Sequence, residues 1–117
     1  MSEIENCWLV CGEGLGEVAI QDKEFGLEMF DKFIHTLEKR DLSNEALCFY
    51  TDGVKLTLED SGVVEGLKLV EKLGLKIIIC GSCLDYFGVR DQVAVGEIGG
   101  MDDIVELLRT AGNVIRI

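Results

Sequence analysis

The sequence predicts an α/β fold, a three-layer α/β/α arrangement around a mainly parallel five-stranded sheet. Three observations lead to it. Short apolar runs alternate with segments of helical periodicity along the whole chain, the pattern of strands joined by right-handed helical crossovers. Most of those runs are continuously apolar, as strands covered on both faces are. With 117 residues and no proline, repeat or linker-like stretch, the chain is expected to form a single domain, residues 1–117, large enough to bury its own core.

Residues 7–11, Cys7-Trp8-Leu9-Val10-Cys11, form the first apolar run and stop at a glycine-rich turn, Gly12-Glu13-Gly14-Leu15-Gly16. Strand alternation places Cys7, Leu9 and Cys11 on one face and Trp8 and Val10 on the other. Four residues of strand span ~13 Å, so Cys7 and Cys11 lie beyond disulfide reach and Cys7 reads as core. A helix is expected from a cap at Asp22 to about Arg40. Gly26, Phe30, Phe33, Ile34 and Leu37 fall on one stripe, Met29 widens it, and His35 lies at its rim. Residues 46–50 are the second strand, with Cys48 in the core, and Asp52-Gly53 is a strong turn signal. Val54, Leu56 and Leu58 then alternate with Lys55, Thr57 and Glu59, which predicts an extended loop with one apolar face that covers a site or meets another subunit.

A second helix is expected from a cap at Asp60 or Ser61 to Leu73, with Val63, Val64, Leu67, Val70 and Leu73 inward and Gly74 as its stop. Residues 75–80 are the third strand, followed by a helical turn or two that carries Leu84 and Phe87 and ends at Gly88. A fourth strand is expected at 93–95. The last helix runs over 101–111 with Met101, Ile104, Val105 and Leu108 inward and Asp102-Asp103 complementing its dipole, and the last strand over 114–117.

Charge and cysteine usage narrow the function classes. There are 22 acidic and 11 basic residues, a net charge of −11, so the chain has no electrostatic footprint for nucleic acid or an anionic membrane. Its acidic start, Met1-Ser2-Glu3-Ile4-Glu5-Asn6, does not resemble a secretory signal, and no apolar run approaches a membrane span. The expected compartment is the cytoplasm. Five cysteines, an odd number without an export signal, point to free or reactive thiols rather than a disulfide framework. A hydrophobic content of 48% and a mean hydropathy of +0.25 suit both a doubly covered sheet and buried subunit contacts.

In a parallel sheet, chemistry collects outside the carboxyl ends of the strands. The glycine turn, Asp52-Gly53 and Cys80-Gly81-Ser82-Cys83 would share that edge. The last is the sharpest signal. Two cysteines three apart at a helix start can bring their sulfurs to one face, and Gly81 and Ser82 are too small to shield them. Cys80, nearer the strand end and the unpaired N–H groups, is the expected nucleophile, with Cys83 as its relay or resolving partner. Cys11, Gly12, Gly14, Asp52, Gly53, Gly81 and Ser82 are the candidate residues lining the site. A zinc site needs four ligands, typically two close pairs. Only Cys80 and Cys83 have that spacing, with Cys11 able to join them if the first and third strands are neighbours. No metal or cofactor is therefore assigned. The glycine turn lacks the Lys-Ser/Thr of a P-loop, is one residue short of a dinucleotide fingerprint, and carries Glu13 and Glu17, which would repel phosphate. It reads as a tight turn beside the cysteines.

Cys80-Gly81-Ser82-Cys83-Leu84-Asp85-Tyr86-Phe87-Gly88, with Val95-Gly96-Glu97-Ile98, Met101-Asp102-Asp103-Ile104-Val105, Gly53-Val54-Lys55-Leu56-Thr57 and Asp60-Ser61, resembles the C-terminal domain of the YedF selenium-metabolism proteins, in the DsrE/DsrF-like superfamily. The resemblance runs from about Trp8 to Ile117. It implies a five-stranded DsrE-like fold and the handling of sulfane sulfur or selenium, since relatives carry a persulfide on a cysteine after the third strand, where Cys80 falls. It also implies assembly as a homo-oligomer, a trimer or a multiple of three. YedF proteins carry an N-terminal sulfur-carrier domain that these residues do not include, so the donor or acceptor is expected to be a separate protein. The leading expectation is a persulfide carrier or sulfurtransferase-like protein in which Cys80 accepts the atom and Cys83 relays it. The rival is a non-enzymatic oligomeric binding module or redox-regulated module on the same fold. A dithiol-disulfide oxidoreductase ranks last.

Overall fold

The computed structural model describes residues 3–117; the first two residues of the acidic N-terminal segment lie outside them. In chain order it contains β1 (Asn6–Val10), α1 (Lys23–Leu37), β2 (Glu45–Phe49), a 3₁₀ segment (Thr51–Thr57), α2 (Val64–Lys72), β3 (Lys76–Cys80), α3 (Gly81–Phe87), β4 (Glu97–Gly99), α4 (Met101–Thr110) and β5 (Asn113–Arg116). The strands form one sheet in the order β4-β3-β2-β1-β5, and every pair is parallel. The expected α/β architecture is the one observed.

Side-chain alternation sets the layers. Trp8 meets Phe33 of α1 edge-on at 5.4 Å between ring centroids, and Phe49 meets Phe30 at 6.2 Å, so these residues of β1 and β2 point toward α1. The alternate residues, Cys7 and Cys48, point to the other face. Cys48 is in register with Ile78, and Ile78 shares a cleft with Gly99 and Leu107 of α4. Helices α1 and α2 pack together on one face, and α4 packs on β3 and β4 on the other. The core of α1 is the expected stripe, Gly26, Phe30, Ile34 and Leu37.

Several expectations need correction. Residues 54–58 are not extended: Thr51–Thr57 coils as a 3₁₀ helix, wedged among α2, α3 and β3. Val54, Leu56, Thr57 and Leu58 are all buried, so the alternation reflected burial on several sides rather than one sheet face. The fourth strand lies at 97–99, not 93–95. Val93 makes only a single antiparallel bridge to Leu58, and Ala94 N–H donates to the Thr57 carbonyl at 2.9 Å. The true strand, Glu97-Ile98-Gly99, is short and contains a glycine, a poor strand signal, and it pairs Gly99 with Cys80. Strand β2 stands between β1 and β3, so Cys11 does not join Cys80 and Cys83 as a third ligand. Leu73, Met101 and Val105 are exposed, and Leu107 takes the inward place on α4. Asp22 makes no capping bond to α1, whereas Asp103 accepts the Gly100 N–H at 2.9 Å at the start of α4.

Candidate functional site

The carboxyl ends of β1, β2 and β3 deliver Cys11, Thr51 and the Cys80–Cys83 pair to one edge of the sheet. Strand β3 is anchored by Ile77, Ile78 and Ile79, all buried, and Cys80 is its last residue. The chain turns into α3 at Gly81, where a Cβ would lie 2.7 Å from an Arg90 nitrogen and 3.2 Å from an Ile98 methyl. Arg90 is fixed there by a two-pronged pair with Asp85, at 2.7 and 3.0 Å. Buried Leu84 seats α3, which leaves Ser82 exposed and Cys83 half-buried on its outer side.

The two thiols differ in access. Cys80 is 1% exposed, closed from solvent at the position where position alone made it the expected nucleophile. Cys83 is the thiol that reaches the surface. Its sulfur accepts the Thr51 backbone N–H at 3.0 Å. Burial pushes the Cys83 thiol up from its ordinary range and hydrogen bonding with Cys80 pushes it further, while the Thr51 N–H pulls it down. All five cysteines are free. Burial raises Cys7 to about 11 and Cys48 to about 12. As expected from sequence, both are inert core residues.

The remaining candidates divide between two neighbouring clefts. Gly12, Gly14 and Asp52 line one of about 510 Å³, with Val18, Ile20 and Lys23. Cys11, Gly12, Glu17 and Arg116 line another of about 370 Å³. The Arg116 Nε–H donates to the Cys11 sulfur at 3.2 Å, and its Nη2 pairs with Glu17 at 3.1 Å. Neither cleft is lined by Cys80 or Cys83. Gly14 has a packing role, because a Cβ there would run into the backbone of Gly26, whose carbonyl accepts the Leu15 N–H at 2.9 Å. Gly53 lies against the end of β1, where a Cβ would overlap the Val10 carbonyl oxygen. Asp52 is exposed and pairs with Lys55 at 3.2 Å. Among the described residues no group of three or more His, Cys, Asp or Glu side chains is arranged to hold a metal ion, and no helix is long and apolar enough to cross a membrane.

Sequence reasoning missed Thr51. Its N–H meets Cys83, and its hydroxyl lies 2.8 Å from the Cys11 carbonyl oxygen and 2.7 Å from that of Tyr50. The neighbouring Asp52-Gly53 marked the turn but gave no sign of which residue would face the sulfur.

Residues 31–117 match the DsrE/DsrF-like family. Among solved structures the chain is similar to the ychN protein from E. coli, with 15% identity, a TM-score of 0.66, and 97% of this chain and 99% of that one covered. It is similar to MTH1491, a protein of unknown function from Methanobacterium thermoautotrophicum, with 17% identity, a TM-score of 0.69, and coverage of 97% and 99%. It is also similar to BT1422, a conserved protein of unknown function from Bacteroides thetaiotaomicron, with 18% identity, a TM-score of 0.66, and coverage of 97% and 95%. At these identities the likeness concerns the fold. No curated protein matches the chain.

Proposed function

The chain belongs to the DsrE/DsrF-like family, and from that premise we propose that it is a cysteine-based carrier of sulfane sulfur or selenium, sulfurtransferase-like, in which Cys80 holds the atom and Cys83 relays it. The observation that carries this reading is a pair of thiols three residues apart at the turn from β3 into α3, one closed from solvent and one at the surface. Two adjacent thiols of unequal access can take up a reactive atom, withdraw it and return it. One thiol alone cannot.

The exchange needs no outside oxidant. The Cys83 thiolate attacks the terminal sulfur of a donor persulfide, R–S–SH. The donor S–S bond breaks, R–S⁻ leaves, and Cys83 becomes the persulfide. Cys80 then gives up its proton and attacks the same terminal sulfur; a new S–S bond forms on Cys80 as the one on Cys83 breaks, and Cys83 returns as a thiolate that can take that proton. Every step is an exchange between sulfurs of unchanged total oxidation state, and the reverse sequence delivers the atom to an acceptor thiol. Selenium in the terminal position follows the same course. At Cys80 the loaded atom is shielded from solvent thiols, which would otherwise strip it.

Donor and acceptor are proposed to be separate proteins, in the cytoplasm, where free thiols persist. The chain is proposed to assemble as a homo-oligomer, a trimer or a multiple of three. Exposed Ile98, Met101 and Val105 on β4 and α4 support apolar contact between copies. The closure of Cys80 and the raised Cys83 thiol favour one rival, a binding or redox-regulated module whose cysteines carry no sulfur. Mass spectrometry after incubation with a small persulfide donor decides between them. After a rinse with a small thiol the parent is expected to keep one sulfur per chain and Cys80→Ser to keep none; equal retention by both overturns the carrier.

A further inference from the structure

Thr51 is the only non-glycine residue with a left-handed backbone among those described, at φ +48°. For a β-branched residue that conformation is strained and persists only where its surroundings enforce it. Here the enforcement is visible. Tyr50 N–H donates to the Val10 carbonyl at 3.1 Å, and Gly53 N–H to the Tyr50 carbonyl at 3.0 Å. Gly53 lies so close to the end of β1 that no side chain fits. The Thr51 hydroxyl, with one proton to give, lies between the carbonyl oxygens of Cys11 and Tyr50. The turn after β2 is thus pinned to the end of β1, and the N–H it presents ends on the Cys83 sulfur.

We propose that Thr51 is a positioning residue for thiol exchange: anchored by its hydroxyl to the strand ends, it holds its backbone N–H on the Cys83 sulfur and stabilises that sulfur as a thiolate, whether attacking or leaving. The inference rests on the reading of Cys83 as the exchanging thiol. A hydrogen bond to an anionic acceptor is stronger than one to its neutral form, so this donor favours the charged state. The titratable group that acts on Cys83 is Cys80, which resists a thiolate there, whereas the more strongly buried Cys48 feels the Cys83 charge without opposing it. That leaves the Thr51 N–H as the group that favours the thiolate. Cys11 takes part through its carbonyl, and its own thiol is not required.

The test is the pH profile of Cys83 alkylation by iodoacetamide in the full chain, read by peptide mass mapping with no sulfur donor present. Failure here therefore stays distinct from failure of the carrier reading. Thr51→Val keeps the shape and removes the hydroxyl anchor. Its midpoint is expected to rise by about half a pH unit, or about threefold slower alkylation below the midpoint, while Thr51→Ser restores the parent profile. If Thr51→Val does not fold, Thr51→Ala removes the same hydroxyl without the branch and carries the same expectation. A valine or alanine profile that coincides with the parent, or a serine profile shifted as far as theirs, overturns the proposal.

Discussion

Two half-buried cysteines stand at the carboxyl edge, Cys11 after β1 and Cys83 within α3, and their surroundings differ in kind. The Cys11 sulfur faces a guanidinium that is already shared with Glu17, beside an open cleft. The Cys83 sulfur faces a neutral backbone N–H and a second thiol. The charged corner has one sulfur and nowhere to pass an atom. The neutral corner has two, one of them shut away. On the proposed carrier reading, an atom that is held and then surrendered is served by the second arrangement, so that reading places its chemistry at the pair rather than at the thiol with the cation.

The largest expected effect breaks that comparison outright. Cys80→Ser is expected to abolish retained sulfane sulfur, and Cys11→Ser to leave it near the parent level, as read by whole-protein mass after removal of the donor; the opposite ranking would move the site to the β1 corner. Next comes Cys83→Ser, expected to slow loading of Cys80 by at least about tenfold, because the open member of the thiol pair is gone. Stopped-flow or quenched loading assays read that rate, and unchanged loading would show that donors reach Cys80 directly.

Backbone fit offers a smaller contrast along the same edge. Gly53→Ala forces a side chain onto the Val10 carbonyl, whereas a Cβ at Gly12 meets nothing within 4 Å. Urea unfolding is expected to show a loss of about 1–3 kcal/mol for Gly53→Ala and a change within about 0.5 kcal/mol for Gly12→Ala. Only the Gly53 variant is expected to alter Cys83 alkylation.

The smallest effect concerns pH. Burial raises the folded-state values of the Cys7 and Cys48 thiols to about 11 and about 12, from an ordinary thiol value of 9.0. Their stabilising contribution is therefore complete below about pH 9 and fades as pH rises through the folded values. Unfolding midpoints followed from pH 8 to pH 11 are expected to fall, and less so in Cys48→Ala measured against its own neutral value. A fall of the same size in that variant would place the alkaline sensitivity elsewhere.

How much of this was legible in the sequence follows from the reach of each signal. Alternating apolar runs and helical stripes are local, so the architecture, the α1 stripe and the Cys80–Cys83 pair could be read directly. The relation of Thr51 to Cys83 spans 32 residues, its relation to Cys11 spans 40, and Arg116 meets Cys11 across 105. Contacts of that range are set by strand order, which apolar periodicity does not encode. The closure of Cys80 was hidden for a related reason. Its partner on the sheet edge is Gly99, in a strand whose sequence is less strand-like than the Val93-Ala94-Val95 run beside it. Nor does propensity suggest that a threonine will take a left-handed conformation.

The most direct test of the central claim is where the sulfane atom rests. The parent chain, loaded with one equivalent of a small persulfide donor and freed of excess, can be alkylated, digested and fragmented to locate the added sulfur between Cys80 and Cys83. The account requires it on Cys80, with a minor share on Cys83. Sulfur found chiefly on Cys11, or spread evenly over the accessible thiols, would contradict it.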